Sequence, residues 1–182
     1  DWLLDGSSAS HDIEVGFRYH EDEEDRLQRS DKYTQIDQTL ILDSIGVTGG
    51  NKNNRVVQAE ALAIYIKDDI AFGDFIVTPG VRFEDIKLER RDWSTLPRNT
   101  TPSLKQNSVT AVLPSIGVLY NVNDNLSLLA GAYNGFGTPT TTSGVEEEQA
   151  LNVELGGRYQ QADLMIELIA FTSDYENLVG EC

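Results

Sequence analysis

Apolar and polar residues alternate along several stretches of the chain, and a short phrase recurs within them. The phrase is a glycine, any residue, an arginine and an aromatic residue. Copies stand at residues 16–19, 80–83 and 156–159, and a copy without the arginine stands at 117–120. In the first stretch Ile13, Val15 and Phe17 fall on one face of an extended strand, because strand side chains point alternately to opposite sides. Glu14 and Arg18 fall on the other face. The pattern predicts β-strands with one apolar face and one polar, glycine-rich face.

This alternation predicts an all-β, antiparallel fold with about seven long strands. Their expected positions are about 11–19, 57–72, 75–89, 109–122, 126–135, 150–159 and 164–175. A short extra strand is expected at 39–42. The acidic run at 21–25 is interpreted as a solvated loop, since runs of like charge are usually solvated, and its spacing does not match a calcium-binding loop.

Connections between the predicted strands alternate in length. Tight turns are expected near Gly73, Asp124 and Gln161. Long loops are expected at about 20–56, 90–106 and 136–149. Short turns at one end and long loops at the other are typical of an outer-membrane β-barrel, and open sheets do not span membranes. The pattern therefore favours a segment of a transmembrane barrel.

In such a barrel the apolar face contacts lipid and the polar face lines the lumen. Six charged residues are predicted to be lumen-facing: Arg18, Arg82, Arg158, Glu14, Glu84 and Glu154. We expect them to form cross-strand charge ladders that stabilise the barrel wall.

A soluble antiparallel sandwich is the main alternative, because its strands alternate too. Two features favour the barrel. Pro79 and Pro114 interrupt the middle of predicted strands, whereas a compact sandwich confines proline to its edges. The predicted strands are also longer than the usual five or six residues.

Composition excludes several classes of function. A net charge of −16 argues against a nucleic-acid partner, since phosphate binding needs clustered Lys and Arg. No apolar run reaches the length of a transmembrane helix. His11 and His20 are expected to be solvated, and the spacing of metal-binding motifs is absent. We find no catalytic motif, so the protein is predicted to be no enzyme and to need no cofactor or resident metal.

Four segments resemble the barrel of the TonB-dependent outer-membrane receptors. They are 75–83, 113–128, 133–139 and 151–159, and their order and spacing also match that family. The last residues, 174–182, look most like the ferric-citrate branch. The resemblance implies that residues 1–182 form part of a 22-stranded barrel domain, which would need roughly 550 residues in full. The family's plug domain and TonB box are not apparent, so we expect a piece from the later part of the barrel.

The resemblance also implies a function. The protein would be a receptor in the bacterial outer membrane that takes up a ferric chelate of the siderophore or ferric-citrate type. TonB would energise transport through the plug, and the expected partners are the chelate, TonB and outer-membrane lipid. The alternative is a non-transporting outer-membrane or secreted β-sheet protein with a binding or adhesion role.

Three arginines are candidates for binding an anionic chelate. Arg90, Arg91 and Arg98 are predicted to lie together in one outer loop. Arginine suits this role because its planar guanidinium binds carboxylates through two hydrogen bonds. The alternative interpretation is that these arginines form ion pairs with neighbours such as Glu89 and Asp92.

Cys182 is the only cysteine of the chain and its last residue. Receptors of the ferric-citrate branch often carry a second cysteine shortly downstream. The resemblance implies a disulfide between Cys182 and a residue outside this chain, in an extracellular loop of a protein that folds in an oxidising compartment.

Overall fold

The computed structural model describes residues 2–6, 8–46, 52–94 and 98–177. Within these ranges the chain forms ten strands and no helix. The strands are β1 (Trp2–Asp5), β2 (Ser10–Gln28), β3 (Lys32–Ile36), β4 (Thr39–Ser44), β5 (Asn53–Phe72), β6 (Phe75–Asp92), β7 (Ser103–Asn123), β8 (Leu126–Gly137), β9 (Glu148–Gln161) and β10 (Leu164–Glu176). Searching the described segments for a helix long and apolar enough to span a membrane gives no candidate.

Eight of these strands form one antiparallel sheet in the order β1-β2-β5-β6-β7-β8-β9-β10. Strands β3 and β4 form a separate hairpin within the first long connection. Seven strands of the main sheet are long, from the 12 residues of β8 to the 21 residues of β7. The edge strands β1 and β10 do not pair with each other, so the sheet is open. The predictions of an antiparallel fold and of long strands are confirmed, and the open sheet agrees with a segment of a barrel rather than a whole one.

Short and long connections lie at opposite ends of the sheet, as predicted. Two-residue turns at 73–74, 124–125 and 162–163 join β5 to β6, β7 to β8, and β9 to β10. Gly73 adopts a positive φ of 55°, which glycine tolerates without strain. Asn123 Oδ1 accepts hydrogen bonds from the backbone N–H groups of Asn125 in the turn and Leu126 at the start of β8, at 2.9 and 3.0 Å. The long connections, 29–52, 93–102 and 138–147, all lie at the other end.

The acidic run at 21–25 is not a loop, and that prediction was wrong. It continues β2, and its residues pair with 56–60 of β5, from Glu21 opposite Glu60 to Asp25 opposite Val56. Backbone pairing with β5 holds the strand whatever its side chains are. Its carboxylates are exposed, and several of them have partners, such as Arg26 for Glu24. The short strand predicted at 39–42 lies within β4, whereas β1 was not predicted.

Register shows that one face of the sheet is apolar across many strands. Val15 lies opposite Ile66, which lies opposite Val81, which lies opposite Pro114. Residues opposite each other share a face, so the apolar residues of successive strands merge into one surface. We call this the apolar face and the opposite one the polar face.

The apolar face has no protein cover in the described residues. Phe17 is 72% exposed and Leu155 is 64% exposed. The buried apolar side chains are few and mostly small, and they are Ala61, Ala63, Ile86, Val109 and Ala111. A soluble sandwich would bury its apolar face against a second sheet, and here the only other sheet described is the β3–β4 hairpin. The sandwich alternative is therefore wrong.

Candidate functional site: the polar face of the sheet

Register places the six predicted lumen-facing residues on the polar face. Arg18 lies opposite Ala63, which lies opposite Glu84. The other five have the same alternation within their strands: Glu14, Arg82, Glu84, Glu154 and Arg158. All six point away from the apolar face. That this polar face lines a lumen stays a prediction.

The arginines of the polar face are partnered differently from the predicted ladders. Arg82 pairs with Glu84 of its own strand, with Nη2 2.5 Å from Oε1, because residues two apart in a strand share a face. Arg158 does pair across strands, but with Glu167 of β10 rather than Glu154, at 2.5 Å. Arg18 is exposed and makes no ion pair with any residue that the structure describes.

Glu14 forms a network with residues that were not among the six predicted ones. Its Oε1 accepts a hydrogen bond from the Tyr65 hydroxyl at 2.5 Å, and its Oε2 lies 3.0 Å from Lys67 Nζ. Lys67 also lies 3.7 Å from Asp69, which accepts a hydrogen bond from Thr78 at 2.5 Å. This network joins β2, β5 and β6 on the polar face.

Glycine in the recurring phrase makes room for a side chain or backbone of the next strand. At Gly16 the Tyr65 ring occupies the space that a Cβ would need. At Gly156 a Cβ would lie 2.5 Å from the carbonyl oxygen of Leu168 and 3.0 Å from Ile169 Cγ1. The phrase therefore reflects close packing between strands within the polar face.

Arg90 and Arg91 do not lie in an outer loop, and that part of the prediction was wrong. Both belong to β6, which continues to Asp92 because its backbone pairs with β5 and β7 on either side. Being consecutive, they point to opposite faces. Arg90 Nη2 lies 2.7 Å from Asp92 on the polar face. Arg91 Nε lies 2.8 Å from Glu89 Oε1. This pair is on the same side of the sheet as the apolar face, but nearer to the long loops than the apolar residues of that face.

Arg98 does lie in the loop between β6 and β7, and it ties that loop to β2 and β5. Its guanidinium binds both carboxylate oxygens of Asp25, at 2.6 and 2.9 Å. Its Nε donates to Asn54 Oδ1 at 2.7 Å, and its Cζ lies 4.8 Å from the ring centre of Trp93. The hydrogen bond from Arg98 holds the pKa of Asp25 below its ordinary value. The three arginines therefore form no common site, and each has an acidic partner.

Two further site predictions find no direct test in the structure. In the described ranges no group of three or more His, Cys, Asp or Glu side chains is placed to hold a metal ion. Cys182, the predicted disulfide partner, lies outside the described residues.

Sequence reasoning found the arginines and missed most of their partners, and it also missed Lys67. The turn at 162–163 pairs Gln161 with Leu164, and counting back along both strands brings Arg158 opposite Glu167. That pair could have been found from the turn. The contact between Asp25 and Arg98 spans 73 positions, and no local pattern predicts it.

The sequence model of the family described as "TonB dependent receptor-like, beta-barrel" matches residues 1–181. The chain belongs to this family. Its receptors are transport proteins rather than enzymes. Membership accounts for the open sheet, since these strands are one part of a larger barrel wall.

Solved receptors share the fold. The ferric citrate transporter FecA, in its unliganded form, is 25% identical with a TM-score of 0.72, and the match covers 95% of this chain and 26% of that one. The ferric-catecholate import receptor Fiu from E. coli K12, in its open form, is 18% identical with a TM-score of 0.67, covering 96% and 29%. The siderophore receptor PiuA from Acinetobacter baumannii is 15% identical with a TM-score of 0.67, covering 93% and 29%. The chain thus spans less than a third of each of these receptors.

Proposed function

We propose that this chain is part of the wall of an outer-membrane receptor that imports a ferric chelate of the siderophore or ferric-citrate type, energised by TonB. The observation that carries the proposal is the family match over residues 1–181. The likeness to a ferric citrate transporter, at 25% identity, supports the ligand class. Transport needs no reactive group in the wall, only side chains that bind an anion and release it.

The uncovered apolar face supports a location in the membrane. Large aliphatic and aromatic side chains stand exposed across β2 to β10, where lipid would cover them. The polar face would then line the lumen. The end with two-residue turns would face the periplasm, and the end with long loops would face the cell exterior.

Among the arginines, Arg90 is the best candidate to meet an anionic chelate. Its side chain is on the same face of the sheet as those of Arg18 and Arg82, and it lies at the loop end of β6. Its ion pair is with Asp92 of the same strand, so its candidacy rests on its face and on its place at the loop end. Arg91 and Arg98 point to the other face, where their acidic partners hold them.

Uptake of radioactive iron by cells decides the proposal. A strain lacking the gene is complemented with the full-length receptor and supplied with iron as ferric citrate or as a ferric catecholate. We expect uptake of at least one chelate, and its loss when the proton-motive force is collapsed. Neither chelate entering above the empty-vector level, with the receptor present in the outer membrane, would favour the non-transporting alternative.

The same assay tests the arginine assignment. Arg90→Ala should reduce uptake or raise the chelate concentration needed for half-maximal uptake. The matched control, Arg91→Ala, removes a neighbouring guanidinium from the opposite face and should leave uptake unchanged. Equal effects of the two substitutions, at equal receptor abundance, would remove Arg90 from the binding site.

A further inference from the structure

The apolar face carries one acidic and one basic residue. On strands β2, β5, β6 and β7 this face extends from the end with the two-residue turns to a row of residues that lie opposite one another: Phe17, Ile64, Phe83 and Val112. Within that stretch, His11 and Asp68 are the only acidic or basic side chains that the structure describes on the apolar face. Ionisable residues in a membrane-facing position are costly, and they usually have a function.

These two side chains contact each other between β2 and β5. His11 Nδ1 lies 2.7 Å from Asp68 Oδ2, and the side chains are 37% and 23% exposed, so a ligand outside the sheet can reach the pair. Among the described residues, His11 is the only basic partner of Asp68, because the nearby Lys67 pairs with Glu14 on the polar face. A neutral imidazole donates a hydrogen bond without cancelling the charge of the carboxylate. Asp68 can therefore bind a cation from outside.

A shallow groove begins beside Asp68 and extends away from the turns. Its volume is about 300 Å³, and its lining residues are Ile66, Lys67, Asp68, Pro79, Gly80 and Val81. Pairing between β5 and β6 is interrupted at this point, since Lys67 pairs with Gly80 and Ile70 with Val77, but the two positions between them are unpaired. Pro79 has no backbone N–H to donate to its neighbour strand. The interrupted pairing leaves an opening between the strands, with Ile66 and Val81 at its inner end.

An aromatic cluster indicates the depth of the pair in the membrane. Phe72, Phe75 and Tyr120 stack on the apolar face beside the turns, with ring centres 5.8 and 4.5 Å apart. Girdles of aromatic residues in barrels lie at the membrane–water interfaces. Asp68 is four residues from Phe72 along β5, which corresponds to about 10 Å along the barrel axis at a rise of about 3.4 Å per residue and a tilt of about 40°. The pair therefore lies in the periplasmic half of an apolar band about 25 Å tall.

We propose that the groove and the His11–Asp68 pair bind one aminophospholipid of the periplasmic leaflet on the outer surface of the barrel. The ammonium group of the lipid contacts the Asp68 carboxylate, and one acyl chain lies in the groove along Ile66 and Val81. The inference rests on the proposed function, because it takes the apolar face as the lipid-facing surface and the turns as periplasmic.

The chemistry of this site selects the ligand. A carboxylate beside an apolar groove fits a molecule with a cation at one end and hydrocarbon at the other, and an aminophospholipid has both. Ionised groups below the membrane surface thin the bilayer locally, which brings lipid headgroups toward them. An ammonium group then forms a charge-assisted hydrogen bond with the carboxylate, whereas a lipid such as phosphatidylglycerol has no cation to offer. The site should therefore distinguish lipids by headgroup and not only by chain length.

Native mass spectrometry of the full-length receptor tests the lipid site. The receptor is purified in detergent and titrated with phosphatidylethanolamine or phosphatidylglycerol that have identical acyl chains. We expect a complex with one lipid to form at a lower concentration of phosphatidylethanolamine than of phosphatidylglycerol. Asp68→Asn removes the charge but keeps the shape of the side chain, and it should abolish this preference. The matched control is Asp69→Asn, the same change in the next residue on the polar face, and it should keep the preference.

A second pair of variants tests the groove without changing a charge. Val81→Trp fills the groove and should reduce the fraction of receptor that carries phosphatidylethanolamine. Val112→Trp adds the same bulk to the same face outside the groove, and it should leave that fraction unchanged. Gel migration before and after heating shows whether each variant is folded. Equal losses in these two folded variants would overturn the assignment of the groove.

Other outcomes overturn the inference, and they differ in what they say about function. No preference for phosphatidylethanolamine in the unsubstituted receptor, while cells that carry it import iron, overturns the lipid site and leaves the proposed function standing. A preference that persists in Asp68→Asn also overturns the site. A preference for phosphatidylglycerol that is lost in His11→Ala would mean that the imidazole binds a lipid phosphate, which contradicts the role of Asp68. A preference lost only in Asp69→Asn would place lipid on the polar face and overturn the proposed membrane orientation as well.

Discussion

At the scale of single residues, the glycine of the recurring phrase is explained by the side chain that occupies the space beside it. Tyr65 crosses from β5 to lie over Gly16, and from there its hydroxyl reaches Glu14. The same carboxylate binds Lys67. A glycine in the wall thus lets a tyrosine lie flat and lets one carboxylate join two strands. Side-chain packing, rather than backbone conformation, accounts for glycine at this position.

Gly16→Ala should destabilise the receptor, because the new methyl group displaces the Tyr65 ring and breaks its hydrogen bond to Glu14. We expect a lower free energy of unfolding than in the unsubstituted protein, measured by denaturant titration of the full-length receptor. Gly117→Ala is the control, since its nearest neighbour is Thr78 Cβ at 3.8 Å. Equal losses in both variants would contradict the role given to Tyr65.

Cys182 carries a prediction of its own, from the resemblance to ferric-citrate receptors. In an oxidising compartment we expect it to form a disulfide with a cysteine outside this chain, in an extracellular loop. Thiol titration of the unreduced, denatured full-length receptor should then detect no thiol at Cys182, and reduction should expose one. A thiol at Cys182 that reacts without reduction would show that the loop is not crosslinked.

At the scale of strands, two adjacent positions of β9 separate the faces. Val153 lies on the apolar face, opposite Thr172, and Asn152 lies on the polar face, opposite Ser173. Val153→Arg should cost about 2–4 kcal/mol, the penalty for arginine at the bilayer midplane. Asn152→Arg should lower the folding stability less than Val153→Arg does, because it removes mainly the hydrogen bond that Ser173 donates to Asn152. Folding free energies in lipid vesicles measure both, and a larger cost at Asn152 would reverse the assignment of the faces.

The contact of Arg98 with Asp25 makes the attachment of the loop at 93–102 depend on pH. Because the pKa of Asp25 is lowered in the folded protein, its stabilising contribution is complete above the ordinary aspartate value of about 3.9. It is lost only as pH falls through the lower, folded value. The NMR signal of the Trp93 indole, which stacks on Arg98, should therefore stay constant from neutral pH to about pH 4 and shift below it.

Asp25→Asn is the control for this titration, because it removes the ionisable group and keeps the shape of the side chain. In that variant the Trp93 signal should lose its acid transition and resemble the acidic form at neutral pH. A transition that persists in the variant would mean that another group controls the loop.

Strands and faces could be predicted because alternation is local. Phe17 and Arg18 were assigned to opposite faces from neighbouring residues alone, and the register agrees. The limits of β2 and β6 could not be predicted in this way, since Glu21 and Arg90 look like loop residues until the partner strand supplies their backbone hydrogen bonds. Contacts such as Arg98 with Asp25 depend on how a loop folds back, which local pattern does not encode.

At the scale of the whole molecule, the sheet has one apolar and one polar face, long connections at one end, and two free edges. Each feature has a role only in a larger assembly. The apolar face is exposed among the described residues, and the two edge strands of the sheet each lack a second neighbour. The fold described here is thus complete within each hairpin and incomplete as a barrel.

The free edges lead to a prediction for residues 1–182 produced alone. Among the described residues, β10 pairs only with β9 and β1 pairs only with the first part of β2, so backbone groups along both edges have no partner there. Unpaired edges promote association between chains. In detergent we expect soluble or insoluble oligomers, seen by size-exclusion chromatography with light scattering. The full-length receptor in the same detergent should be a monomer, and it should migrate faster on gels before heating than after. A stable monomer of the 182-residue chain with a closed ring of paired strands would show that these strands can form a barrel by themselves.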